Sequence, residues 1–192
     1  MEWDEGLLRI SLIGSADLGL AGLTNMSGVT VNTTALSKSL ADMTATELVQ
    51  AAITIGTTYQ AQNLYKGMPN KFAIDLKVYS ALAAPFNAAG VATETKLDVF
   101  TRTLRVALAS PSLEVVGAPL RDYNDASVTT DRYIVFPYDQ DVLNFDVSAD
   151  YVPTNFHSKD GFHFTNTAYG QFYGVHADRP QEILIFQAPI PT

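Results

Sequence analysis

The chain reads as an α+β protein, and three observations carry that reading. Thr44 and Glu47 stand at capping-box spacing before a stretch of helical period. After Pro111 the apolar period switches to two. The helical stretches and short strands come first and the long strands last, the order of an α+β fold and not of a βαβ series.

Met1–Leu23 holds a short apolar segment that ends in the turn residues Gly19, Gly22 and Asn25. Residues 24–43 are rich in Thr, Ser and Asn without helical period and read as an extended loop. From Thr44, Leu48, Ala51, Ala52, Ile55 and Tyr59 fall on one helical face, and Gly67 and Pro69 close the region. A short strand, Lys71–Ile74, leads into a helix with Asp75 as N-cap. Leu76, Tyr79 and Leu82 are its expected inward face, and Pro85 ends it. A third helix begins near Thr95, buries Leu97, Phe100, Leu104 and Leu108, and stops before Pro111.

Beyond it, Leu113–Ala118 and Arg132–Phe136 read as buried strands. Leu143, Phe145 and Val147 alternate with polar neighbours, which predicts a strand with one wet face. Phe162–Ala177 reads as a long strand returning along an upstream partner across Ser158–Gly161, and Glu182–Phe186 as a final short strand.

Composition narrows function. The 192 residues carry a formal charge of −8, so a dedicated nucleic-acid-binding role is disfavoured, because an acidic surface repels phosphate. The absence of cysteine removes disulfides, thiol nucleophiles and thiolate metal sites. Arg9 and Asp17 interrupt the apolar stretch Leu7–Leu23, which therefore makes neither a comfortable membrane span nor a secretion signal. The expectation is a soluble, intracellular product.

Motifs for chemistry are scarce. Gly19 and Gly22 lack the surrounding pattern of a phosphate loop or dinucleotide fingerprint, and no serine sits in a Gly-x-Ser-x-Gly elbow. A three-residue Lys159-Asp160-Gly161 loop would set His157 opposite His163, whereas a two-residue Asp160-Gly161 turn would put them on opposite faces. Two imidazoles without a third ligand make a poor metal site, so surface or interface packing is expected there. Asp122-Tyr123-Asn124-Asp125 and Asp139-Gln140-Asp141 lack the spacing, turn glycine and distal glutamate of a calcium loop, and read as solvated turns. No catalytic, cofactor-binding or metal-ligating residue is assigned, and no cofactor is expected.

The order of these features resembles the major coat (capsid) proteins of tailed bacteriophages, whose fold also builds encapsulin shells. Gly19-Leu20-Ala21-Gly22-Leu23-Thr24-Asn25 is similar to the Gly-Leu-x-Asn turn that follows the family's spine helix. The capped helix from Thr44, then Met68–Ile74 running into Asp75–Leu82, resembles its helix, strand and x-x-Tyr-x-x-Leu helix. Asp131–Phe136 with Asp141–Phe145 resembles its late strand pair, and Gly170–Ile183 its ending of strand, proline and last short strand. The likeness runs from about residue 17 to about residue 188. It departs at the front, where only about sixteen residues precede the turn in place of the family's N-terminal arm, extended loop and long spine helix. Either the chain is a piece of a longer protein or it uses a reduced version of the fold.

The resemblance implies a peripheral lobe of long antiparallel strands from residues 1–29 and 143–175, and an axial α/β lobe from residues 30–142 and 176–192. The Asp122–Thr130 loop would face the capsomer axis. It further implies a structural, non-enzymatic subunit that self-assembles into an icosahedral shell around double-stranded DNA of a tailed phage or prophage. Its partners would be copies of itself in capsomers, other phage head proteins and packaged DNA enclosed without sequence-specific binding, with no membrane. The site of action would be the virion, with host cytoplasm before assembly. The 192-residue chain is expected to fold without closing shells by itself. Three alternatives stand beside this reading: an encapsulin-like nanocompartment shell, a small acidic carboxylate-dependent enzyme and a non-enzymatic binding module. A deep pocket with two converging carboxylates of perturbed protonation would mark the enzyme.

Overall fold

The computed structural model describes residues 12, 21–63, 67–85, 94–121, 128–153, 157–158, 164–165 and 168–191, with backbone alone between 145 and 174. Its centre is a five-stranded mixed sheet in the order β1-β9-β4-β2-β3, formed by β1 (Thr30–Asn32), β2 (Lys71–Asp75), β3 (Glu114–Ala118), β4 (Thr130–Phe136) and β9 (Leu184–Pro189). β1 runs parallel to β9 and β3 parallel to β2, while β4 lies antiparallel to both of its neighbours. Three helices, α1 (Ala45–Asn63), α2 (Leu76–Leu82) and α3 (Lys96–Ala107), pack with the sheet. A separate ladder joins β5 (Leu143–Pro153) to β8 (Ala168–Ala177), and β6 (His157–Ser158) pairs with β7 (Phe164–Thr165) between them.

β4 explains why the sheet is covered on both faces. Tyr133 and Val135 join Phe72, Ile74, Leu184 and Phe186 in the core under the helices, with Ile55 and Leu104. Ile134 and Phe136 point the other way, into a second core with Leu23, Met26, Val142, Val175 and Ile185. A strand buried on both sides has no reason to alternate, hence the unbroken apolar run Tyr133–Phe136. Phe72 ties the first core together, its ring centroid 5.6 Å from Phe100 and 6.4 Å from Tyr133.

The predicted helices form, with two faces corrected. Leu48, Ala51, Ala52, Ile55 and Tyr59 are buried as expected. At α1 the Glu47 carboxylate accepts from the Thr44 N–H (2.7 Å) as a capping box requires, but the Thr44 hydroxyl donates to that same carboxylate. Asp75 caps α2 by accepting from the Lys77 N–H at 3.0 Å. Leu76, expected inside, is 50% exposed, and Val78 is buried with Leu82 instead. The cap places residue 76 at the first helical position, turned off the sheet. In α3 a full capping box joins Thr95 and Asp98, Phe100 and Leu104 are buried with Leu108 just beyond, and Leu97 is only partly covered while Val99 is buried.

The strands need more correction. Residues 24–43, expected as a loop, contain β1 and a 3₁₀ turn at Leu40–Asp42, with Leu36, Leu40 and Met43 inside the first core. β1 exists only because the last strand lies beside it, a contact between residues far apart in the chain. Leu113 is fully buried but precedes β3, which is half-buried because it closes one edge of the sheet. The last strand starts at Leu184, since Pro180–Glu182 forms a 3₁₀ turn. Of the predicted strand 162–177, Phe164–Thr165 and Ala168–Ala177 are strand, residues 162–163 and 166–167 lying outside the described residues. The β5–β8 ladder shifts register three times, at Asp146/Val147, Val147/Ala149 and Ala149/Val152.

Candidate functional site

The resemblance turn is built as its sequence suggests. Asn25 N–H donates to the Gly22 carbonyl (3.1 Å), and the Asn25 side-chain oxygen accepts from the Gly22 N–H (2.6 Å). The side chain thus closes a turn that the backbone opens. Gly19 lies outside the described residues. The turn is anchored to both sheets, because Arg132 of β4 donates to the Thr24 carbonyl and Val175 N–H of β8 donates to the Ala21 carbonyl at 3.0 Å.

The acidic run Asp139-Gln140-Asp141 is a turn. Asp139 Oδ1 accepts from the Asp141 N–H at 2.9 Å, and its carbonyl accepts from Val142 and Leu143. Asp122, Asn124 and Asp125 lie outside the described residues. The histidine pairing is corrected. His157 stands opposite Thr165, and Ser158 opposite Phe164, so the ladder is shifted by two residues from the one that would face His157 to His163. That register differs from those of both turns considered from the sequence, whose residues 159–161 lie outside the described residues. His163 itself lies outside the described residues.

Two carboxylates escaped the sequence reading in part. Asp75 was recognised as a cap, but Asp131 gave no signal beyond its place before an apolar strand. They are the only buried acidic residues among those described, at 0% and 1% exposure. Arg121, itself largely covered, donates to Asp131 Oδ1 at 2.9 Å. Burial pushes the Asp131 carboxyl up to about 6, against the pull of Arg121 and with help from the charge of Asp75. This is perturbed protonation at a carboxyl group that is closed to solvent. A carboxylate without surface cannot meet a substrate. The two grooves on the outer side of α3, the first of ≈ 260 Å³ between Leu97, Arg102 and Glu114, include neither aspartate. Nearby Tyr133, whose hydroxyl meets Ser39 Oγ at 3.3 Å, is likewise raised by burial, to about 12. The Arg121–Asp131 pair ties the start of β4 to the segment that follows β3.

The chain leaves the mixed sheet at its inner strand β4, forms the long antiparallel ladder and returns to the sheet at β9. The major capsid protein family matches residues 1–186, and the chain belongs to that family. Among solved structures it is similar to the capsid of Myoviridae phage XM1, with TM-score 0.72 and 14% identity over 97% of this chain and 64% of that one. It is also similar to the virus-like particle from Pyrococcus furiosus (TM-score 0.55, 14% identity, 96% of this chain and 62% of that one). A third likeness is to Mycobacterium phage Che8 (TM-score 0.51, 14% identity, 83% and 53%). The chain thus spans less than two thirds of the length of each of these relatives. No curated protein matches. Among the described residues no helix is long and apolar enough to cross a membrane.

Proposed function

We propose that the chain is a structural subunit of a phage capsid shell, without catalysis of its own, acting in the virion and enclosing double-stranded DNA without reading its sequence. The observation that carries this reading is the family match across residues 1–186. The fold shared with the XM1 capsid supports it. An acidic chain suits enclosure better than binding, since net charge −8 offers phosphate no attraction. Copies of itself are its main partners, with other head proteins met during assembly in the host cytoplasm.

Within the subunit, residues 30–142 with 176–192 make the axial lobe, and residues 1–29 with 143–175 the peripheral one. Support for the division comes from the strand order: every strand of the five-stranded sheet falls in the first set, while β5, β6 and β7 fall in the second and β8 ends at the boundary. Residues 122–127 of the loop expected at the capsomer axis lie outside the described residues. Shell assembly works by repeating the same contacts around closed symmetry, so interfaces weak singly hold collectively.

Electron microscopy of the purified protein, and of any longer natural form, tests the reading. Rings or shells of regular diameter support it. Particles with neither form, in both proteins, overturn it.

A further inference from the structure

We propose that the outward face of α1 is a contact surface for a second copy of this chain, an inference that rests on the shell-subunit reading. Between Leu48 and Asn63 no side chain carries a formal charge, in a protein with 20 acidic and 12 basic residues. The buried face of α1 accounts for less than half of that stretch. The exposed stripe Thr46, Gln50, Ile53, Thr57 and Ala61 follows helical spacing down the other side and is also uncharged. A helix face open to water ordinarily carries charges. Here even the hydroxyls turn inward. Thr57 Oγ1 donates to the Ile53 carbonyl at 3.0 Å and Thr54 Oγ1 to the Gln50 carbonyl at 2.9 Å, so these threonines offer methyl groups to whatever covers them.

The apolar character continues across the helix crossing. Gly56 and Ala107 approach so closely that a Cβ on Gly56 would stand 2.6 Å from that of Ala107. Ile53 and Val106, exposed by 40% and 78%, flank this approach from the two helices. Among the described residues of α1 the charge nearest the stripe is in the Lys38–Glu47 pair (2.6 Å) at its start, while on α3 Arg102, paired with Glu94 (2.7 Å), and the exposed Arg105 border Val106. Uncharged centre and ionic rim is the anatomy of an interface.

Charge favours a copy of the chain as occupant, and area sets the condition under which it binds. Two copies at −8 each repel, and they meet at least cost where neither presents a charge. The stripe from Thr46 to Ala61 is about 22 Å long at 1.5 Å per residue and about 10 Å wide, or about 220 Å². A stable pair needs about 800 Å² per partner. The face therefore holds a neighbour only where other contacts act with it, as in a closed array of copies.

Sedimentation velocity over a concentration series tests the surface on the whole chain. Thr57→Glu places one charge at the centre of the stripe, Thr57→Val keeps it apolar, and Leu76→Glu adds the same charge at an exposed position outside it. The expected result is association in the parent chain, retained by Thr57→Val and Leu76→Glu, with Thr57→Glu needing about tenfold more protein or worse. Equal melting temperatures for the two Thr57 variants exclude a folding defect as the cause, and unequal ones pass the decision to Ile53→Glu, read the same way. Association undisturbed by charges at both Thr57 and Ile53 overturns this surface and leaves the shell reading standing. No association of the parent chain at any concentration overturns this surface as well, while the shell reading falls only if a longer natural form also makes neither rings nor shells.

Discussion

Asp131 carries the clearest consequence at the scale of single residues. Its folded value of about 6 lies above the ordinary 3.8, so the folded chain binds this proton more tightly than the unfolded chain does. The stabilisation is full below about pH 4 and is lost as pH rises through about 6, a span worth about 3 kcal/mol. Asp131→Asn, which keeps the neutral form at every pH, should remove that slope, so that urea unfolding of parent and variant agrees best near pH 4 and diverges most near pH 7. A difference independent of pH would mean that Arg121 holds the carboxylate ionised throughout. Glu47 works in the opposite direction but at the surface, lowered to about 2 chiefly by Lys38, where water and salt leave it little influence on stability. In the core, Ile55 and Leu104 are both fully buried in the cluster under the helices. Replacing either by Ala should cost about 2–5 kcal/mol, read as a fall in denaturation midpoint. These two residues were legible from periodicity. Asp131 was not, because nothing local says that a residue opening a strand will be closed over by Arg121.

At the scale of elements, the helices stand on their caps and on one close crossing. Thr95 accepts from the Asp98 N–H while Asp98 accepts from the Thr95 N–H, and Thr95→Ala should cost about 1 kcal/mol in thermal or chemical unfolding. The crossing of α1 and α3 depends on Gly56, since a methyl group there meets both the side chain and the backbone of Ala107. Gly56→Ala would raise helix propensity and still destabilise, by about 1–3 kcal/mol, because the helices must move apart. A stabilised variant would show that the crossing yields easily. Element existence followed from patterns of period and capping. Errors fell where tertiary contact makes the element: β1 is three residues that owe their strand form to β9, and β3 is half-exposed because it ends up at a sheet edge.

For the molecule as a whole, net charge sets the terms of assembly. Copies at −8 repel through the solvent over about 10 Å at 0.1 M salt and about 3 Å at 1 M. Self-association should therefore strengthen as sodium chloride rises from low to moderate concentration, measured by light scattering at fixed protein. Association that weakens with salt would indicate contacts made by opposite charges.

The amino-acid sequence by itself determined the α+β order, the three helices with their caps, the buried strand at Arg132–Phe136 and the resemblance to coat proteins. These rest on local period, on hydrogen-bonding groups three residues apart and on the succession of elements, all of which survive in one dimension. Tertiary structure alone decided the parallel pairing of β1 with β9, the shifted ladder at His157 and the burial of Asp131 against Arg121. It also decided which uncharged stretch of α1 faces water, for the sequence shows a run without charge but not the side on which the core lies. Each of these is fixed by packing and strand register, which leave no mark on the local pattern.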